Sequence, residues 1–184
     1  MKREFDPDRL DLVTFAEAAA ALTASDALAR YPRLVVEASE PPAADLRVRW
    51  HAQGAQRAAP GATQAPWLHL TADTALPLIC QRCMGTVEAA LSVDRWFRFA
   101  VDEATAAAED DVSEEDVLVV SREFDLRALI EDELLMSLPV APRHEHCPEP
   151  VRLSAVDEDF EAAQVERPNP FAALARLHGI KKGE

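Results

Sequence analysis

The segment "TVEAALSVDRWFRFAV", beginning at Thr86, constrains this chain more than any other. Val87, Ala89, Leu91, Val93, Phe97, Phe99 and Val101 recur at every second position, with Arg95 the single break in phase. A period of two means an extended strand with one face buried. The break at Arg95 is read as a bulge. A strand of this length needs partners and an apolar cover. Two upstream segments supply partners. In "DLRVRWHAQ", Leu46, Val48 and Trp50 alternate with Arg47, Arg49 and His51, and "WLHLTADT" has strand character. Between them "GAQRAAPGATQAP" is small, polar and turn-rich, which predicts an antiparallel hairpin joined by a flexible loop.

The cover comes from "EFDLRALIEDELLMSLP". Asp125 is placed to cap a helix, Leu126, Leu129, Ile130, Leu134 and Leu138 form one stripe, and Pro139 stops it. Glu131, Asp132 and Glu133 are consecutive, so they point in different directions and read as a solvated face rather than a carboxylate pair. A second helix is expected at about 10–23 from Leu10, Phe15, Ala18, Ala19 and Leu22, and a short strand at Leu34–Val36. Residues 101–120 are acidic without a compensating base and read as a solvated loop followed by a short strand. The expected architecture is α+β: an antiparallel sheet of about four to six strands, with one or two helices on one face. A chain of 184 residues suits a single domain. That domain is expected over 1–150, with the N-terminal helix at 10–23, the sheet and main helix over 34–139 and a Cys/His loop at 140–150. A mobile tail, 151–184, would hold an acidic linker and a short helix started by Asn169 and Pro170, with Phe171, Leu174 and Leu177 on one side.

Charge narrows the function classes. A formal net charge of -14 repels nucleic acid and anionic membranes unless basic residues are gathered locally. The candidates for such a patch are Arg47, Arg49 and His51, joined by Arg95 and Arg98 only if the bulge brings them to one face. Pairing of these arginines with nearby carboxylates is the favoured alternative. The other basic cluster is Arg176, His178, Lys181 and Lys182. No glycine-rich phosphate loop or nucleophile elbow is present, so no catalytic constellation stands out. The start "MKREFDPDRL" lacks a signal-type apolar run, the cysteines form no disulfide framework, and no stretch approaches a membrane span; the chain reads as cytoplasmic.

The motif that could carry chemistry is "CQRC", with Cys80 and Cys83 spaced C-x-x-C. Three readings compete. The pair is a packing feature of a turn, half of a zinc site, or a redox couple. A zinc site would need Cys147 in "RHEHCPEP", with His144 three residues before it as the fourth ligand, since His146 is immediately adjacent and reaches the same ion less easily. A redox couple belongs at a helix start, whereas this pair precedes a strand.

The order "CQRCMGTVEAAL", an acidic insert, "EFDLRALIEDELLMSLPVAPRHEHC" and a closing "RPNPFAALARL" resembles the bacterial large ribosomal RNA subunit accumulation protein family, YceD, from about residue 40 to the end. The family motifs fall on Cys80, Arg82 and Cys83, on Asp125, Leu126, Glu131, Asp132, Glu133, Leu138 and Pro139, on Cys147, and on Asn169, Pro170 and Phe171. The resemblance implies a non-enzymatic role in the synthesis, processing or stability of large-subunit ribosomal RNA. Its expected partners are that RNA or an early ribosomal protein, with no membrane and no small-molecule substrate. Some relatives carry a second closely spaced cysteine pair. With Cys147 alone, a four-thiolate site is excluded and His144 is the substitute. The C-x-x-C then fixes a turn between strands, either by packing or by sharing a metal with Cys147.

Overall fold

A computed structural model describes residues 5–59 and 62–148. In chain order these form α1 (Leu12–Glu17), β1 (Ala21–Ala27), a short 3-10 turn (Leu28–Arg30), α2 (Pro32–Glu37), β2 (Arg47–Ala59), β3 (Ala62–Ile79), β4 (Thr86–Ala100), α3 (Glu103–Asp110), β5 (Asp116–Val119) and α4 (Leu126–Met136). The five strands make one sheet in sequence order, antiparallel from β1 to β4, with β5 added parallel to β4. The fold is α+β, as the alternation predicts.

The alternation decides which face is inside. Val48, Trp50 and Ala52 of β2, Leu68, Leu70, Leu76 and Leu78 of β3, and Leu91, Val93, Phe97 and Phe99 of β4 are buried in one core. α1 lies over β2 and β3, α4 lies over β3 and β4, and α2 packs beside α4. The stripe of α4 delivers Leu126, Leu129, Ile130 and Leu134 to that core. Asp125 caps the helix by accepting from the Ala128 amide at 2.9 Å. A smaller cluster of Ala100, Ala106 and Val117 sits on the opposite face, under α3. No helix among the described residues is long and apolar enough to cross a membrane.

Several expectations are corrected. The helix expected at 10–23 ends at Glu17, because Ala19 takes a left-handed φ of 44° and the chain reverses into β1. The strand expected at Leu34–Val36 is the helix α2, with Pro32 at its first position, where a missing N–H costs nothing. The supposed loop at 54–66 is mostly ladder, since β2 and β3 pair out to Ala59↔Ala62. The acidic loop contains α3, capped by Asp102 accepting from the Thr105 amide at 2.8 Å. There is no bulge at Arg95. β3 and β4 stay in register from Trp67↔Arg98 to Ile79↔Thr86, and Arg95 stands on the helix-covered face opposite Leu70. The expected linker and terminal helix at 151–184 lie outside the described residues.

The carboxylates of α4 also depart from the expected solvated face. Glu131 and Glu133 are 7 % and 8 % exposed. Glu131 accepts from the backbone amides of Arg33 at 2.7 Å and Leu34 at 3.3 Å, and from Arg33 Nε at 2.9 Å, so it caps the start of α2. Glu133 accepts from Arg95 at 3.0 Å. At the other end of α4, Arg127 pairs with Asp26 and, at 2.6 Å, with Asp8. Asp26 in turn accepts from Tyr31 Oη at 3.0 Å and Trp50 Nε1 at 2.8 Å.

Two predictions follow from this packing. A Cβ added at Gly54 would meet Phe15 O at 2.7 Å and Ala16 Cα at 2.9 Å, which are backbone atoms of α1 that cannot turn aside. Gly54→Ala is expected to lower unfolding free energy by about 1–3 kcal/mol in denaturant titrations, and an unchanged midpoint would contradict this contact. Burial, reinforced by Asp26, raises the Tyr31 phenol above its ordinary value. The neutral form is therefore favoured in the folded chain, and this stabilisation is complete below the unfolded value of about 10 and lost as pH rises beyond it. Because Tyr31 is the single tyrosine, its phenolate absorbance should rise together with alkaline unfolding and not before it.

Candidate metal centre

The site begins at the residue that follows β3. Leu76, Leu78 and Cys80 share the buried phase, and Cys80 is fully buried. The chain then turns at once. Met84 donates its amide to Cys80 O at 2.8 Å, the Cys80 amide donates to Gly85 O at 2.8 Å, and Met84 takes a φ of 62°. This tight turn presents Cys83 beside Cys80 before β4 begins, so the pair lies between two strands and not at a helix start.

The second half of the site arrives on the loop after α4. The Gln81 amide donates to Pro142 O at 2.8 Å, and Arg82 donates to His144 O at 2.9 Å, to Glu145 O at 3.2 Å and to Cys147 Sγ at 3.1 Å. Those bonds bring His144 and Cys147 over the turn. The donor atoms of Cys80, Cys83, His144 and Cys147 all lie within 4.8 Å of one another, and His146 is not among them. Cys80 Sγ is 3.9 Å from Cys147 Sγ, and Cys83 Sγ is 3.4 Å from His144 Nδ1. No two of the cysteines are disulfide-bonded. The other imidazole nitrogen, Nε2, donates to Thr86 O at 3.0 Å, which leaves the Nδ1 lone pair directed at the thiols.

The electrostatics favour thiolate at Cys80. Burial works against ionisation of Cys80, but backbone amides of Cys83, Arg82 and His144 outweigh it and lower the thiol to about 5. At Cys83 the Gly85 amide favours the thiolate, yet burial and the neighbouring sulfurs of Cys80 and Cys147 push its pKa up. Three sulfurs this close cannot all be ionised cheaply without a positive charge among them.

The remaining sequence candidates are dispersed. Arg49 bonds to Asp73 from Nε at 2.9 Å. Arg95 is on the helix-covered face with Glu133 and with Asp116 at 2.9 Å. Arg98 is on the other face, 1 % exposed, between Glu109, Glu115 and Ser113. Arg47 lies at the start of β2 and His51 bonds Thr23 Oγ1 at 2.8 Å. Asn169, Pro170, Phe171, Arg176, Lys181 and Lys182 lie outside the described residues. The structure brings Cys80, Arg82, Cys83, His144 and Cys147 together and leaves the strand arginines apart. It also reveals a cluster not singled out in the sequence: Arg57 stacks 3.4 Å over Trp96, and His69 lies parallel to Trp96 at 4.5 Å, on the outer face of the sheet. The signal was the polar phase of β3 and β4, which carries Trp67, His69 and Trp96 where small or charged residues would suffice.

The family model described as "Large ribosomal RNA subunit accumulation protein YceD" matches residues 68–178, more than half of the chain. The chain belongs to the YceD family. A relative from Haemophilus influenzae (strain ATCC 51907 / DSM 11121 / KW20 / Rd), with the name "Large ribosomal RNA subunit accumulation protein YceD", is 43 % identical over 60 residues. That match covers 30 % of this chain and 32 % of the relative, so the chain aligns with about a third of the relative's length. No solved structure matches. The YceD match takes in most of β3, all of β4 and α4, and the complete Cys80, Cys83, His144 and Cys147 cluster.

Arg82 is the tie between turn and loop, and the Gln81 amide reports on it. Arg82→Ala is expected to speed hydrogen exchange of the Gln81 N–H by about tenfold, because loss of its bonds to the loop frees the Pro142 carbonyl that accepts from Gln81. Unchanged exchange at Gln81 would mean that the loop is held without Arg82.

Proposed function

We propose that this protein is a non-enzymatic cytoplasmic factor that supports accumulation of large-subunit ribosomal RNA, through its synthesis, processing or stability. The observation that carries the reading is the family match over residues 68–178. Two features of the site support the non-enzymatic part. The four donors of the cysteine cluster face one another, and the loop that carries two of them is tied to the turn by Arg82 and the Gln81 amide, which is how a structural clamp is built, whereas a catalytic centre keeps a position open to substrate. The motif carboxylates Glu131 and Glu133 are occupied by Arg33 and Arg95, so they serve to seat a helix.

The charge pattern favours action through a protein. With a net charge of -14, and with Arg49, Arg95 and Arg98 neutralised by carboxylates, the body is better suited to hold a basic early ribosomal protein than to coat RNA. Arg47 at the start of β2 and the basic residues of the C-terminal sequence are candidates for a local contact with RNA or with a partner, whereas Arg82 is engaged by the loop after α4.

Deletion of the gene is expected to lower the ratio of large- to small-subunit ribosomal RNA, and the full chain supplied in trans to restore it. An unchanged ratio on deletion would remove the reading. In solution the isolated protein should bind bare RNA weakly and with steep salt dependence; tight binding that persists at high salt would point to direct RNA recognition instead.

A further inference from the structure

We propose that the outer face of the sheet, centred on Arg57, Trp67, His69 and Trp96, binds an unpaired stretch of RNA by stacking its bases. The inference rests on the ribosomal reading only for the choice of RNA as the nucleic acid; the surface itself stands on geometry. The pairing register puts these side chains in one phase. Gln53 faces His69 and His69 faces Trp96, while Ala55 faces Trp67 one row further along. The opposite phase forms the helix-covered core, and α3, the one described helix on the outer side, lies over Arg98 and β5.

The planar groups form a stack. His69 lies 4.5 Å from Trp96 and within 13° of parallel, held by Asp94, which accepts from its Nε2 at 2.7 Å. The Arg57 guanidinium sits 3.4 Å over the Trp96 ring and 5.6 Å from Trp67, and Trp67 meets Trp96 edge-on at 6.4 Å. Both indoles are half-buried and Arg57 is exposed. A nucleobase is a planar ring that extends such a stack, on an indole or on a guanidinium plane alike. From this platform the same face runs toward β1 as a groove of about 460 Å³, lined by Thr23, Ser25, Arg49, His51, Thr71 and Asp73. Its hydroxyls and imidazole suit base edges and the ribose hydroxyl, which both donates and accepts. From Arg49 to Arg57 the surface extends roughly 26 Å at about 3.3 Å per residue, room for several nucleotides.

Charge selects between RNA and a basic peptide. The chain carries 33 acidic residues, yet only Asp73, Asp94 and Glu88 stand in the outward phase of β1 to β4. Asp73 is engaged by Arg49 and Asp94 by His69, whereas Arg47 and Arg57, near the two ends of β2, make no ion pair among the described residues. A basic segment therefore finds little here and more carboxylate elsewhere on the body, while the free guanidiniums suit phosphates. Cross-strand pairing by itself explains Trp96 beside His69. It leaves unexplained the exposed guanidinium laid flat on the indole and the groove that continues from it. The acidic body keeps the contact weak, so the platform selects unpaired bases in RNA that is already near.

The test follows tryptophan fluorescence of the full-length chain at low salt. Trp67 and Trp96 report on the face, and Trp50 is buried in the core. A short single strand of oligoadenylate is expected to quench the emission and to half-saturate at about 10–100 μM. An RNA duplex of the same length, inorganic polyphosphate and oligoarginine should leave it unchanged. Arg57→Lys keeps the charge and loses the plane, and Trp96→Ala removes the ring; each should weaken binding by about tenfold. Because Arg57 is exposed, its variant tests the face without disturbing the fold. A quench that duplex or polyphosphate reproduces, or one indifferent to both substitutions, would overturn the proposal. So would quenching by oligoarginine in place of RNA, which would assign the face to a basic protein. In cells lacking the gene, the chain carrying Arg57→Glu is expected to fail to restore the ribosomal RNA ratio. Full restoration by it would sink the platform and leave the ribosomal reading standing, whereas an unchanged ratio on deletion would remove that reading and leave the stacking result as measured.

Discussion

The structure depends on how α4 is seated. Its apolar stripe closes the buried face of the sheet, but a stripe of leucines alone would tolerate rotation or a slide along the sheet. Three charged side chains remove that freedom. Arg127 reaches Asp26 and Asp8, Glu131 reaches the start of α2, and Glu133 reaches Arg95 on β4. A buried charge without its partner is strongly destabilising, so each tie acts less as added attraction than as a penalty on every other placement of the helix. The sequence places these three residues next to the stripe positions, where a rotated helix would strand two carboxylates in the core.

Both ends of α4 are also held by backbone. Before it, Leu10 and Phe124 exchange amide–carbonyl bonds at 2.8 and 3.0 Å, and the Leu126 amide donates to Pro7 O at 2.9 Å. After it, the loop returns to the β3–β4 turn through Gln81 and Arg82. The cysteine and histidine side chains therefore sit at the far end of an element whose register is already fixed. That explains how residues so distant in sequence bring their donor atoms within 4.8 Å of one another: the sheet fixes Cys80, the turn fixes Cys83, and the helix delivers His144 and Cys147.

What could be read from the chain alone followed the strength of each periodic signal. β2, β3, β4 and α4 were legible because long alternation, or a capped stripe with a terminating proline, has few other solutions. The boundary between α1 and β1 was hidden by a run of alanines that favours helix, while the reversal depends on one backbone angle at Ala19. α2 was mistaken for a strand because Val35 and Val36 are β-branched, although Pro32 marks a helix start. α3 was hidden by acidity, with Asp102 the overlooked cap. The cysteine set was legible by residue type and spacing. The roles of Arg82 as a clamp and of Glu131 as the cap of another helix depend on tertiary neighbours, which no local pattern encodes.

The stitching of Leu10 to Phe124, like the pairing of Asp26 with Arg127 across 101 residues of sequence, has a consequence for synthesis. As the chain emerges in order, the β2–β3–β4 meander can assemble from neighbouring segments. Its apolar face then stays open to solvent until α4 has been made, and the first strand and helix wait just as long for their partners. Such non-local closure is slow and leaves sticky surface exposed in the interval. From the completion of β4 at Ala100 until α4 is complete at Met136 the nascent protein is therefore an uncovered sheet, in need of shelter from other chains at the very machine whose RNA its family is named for.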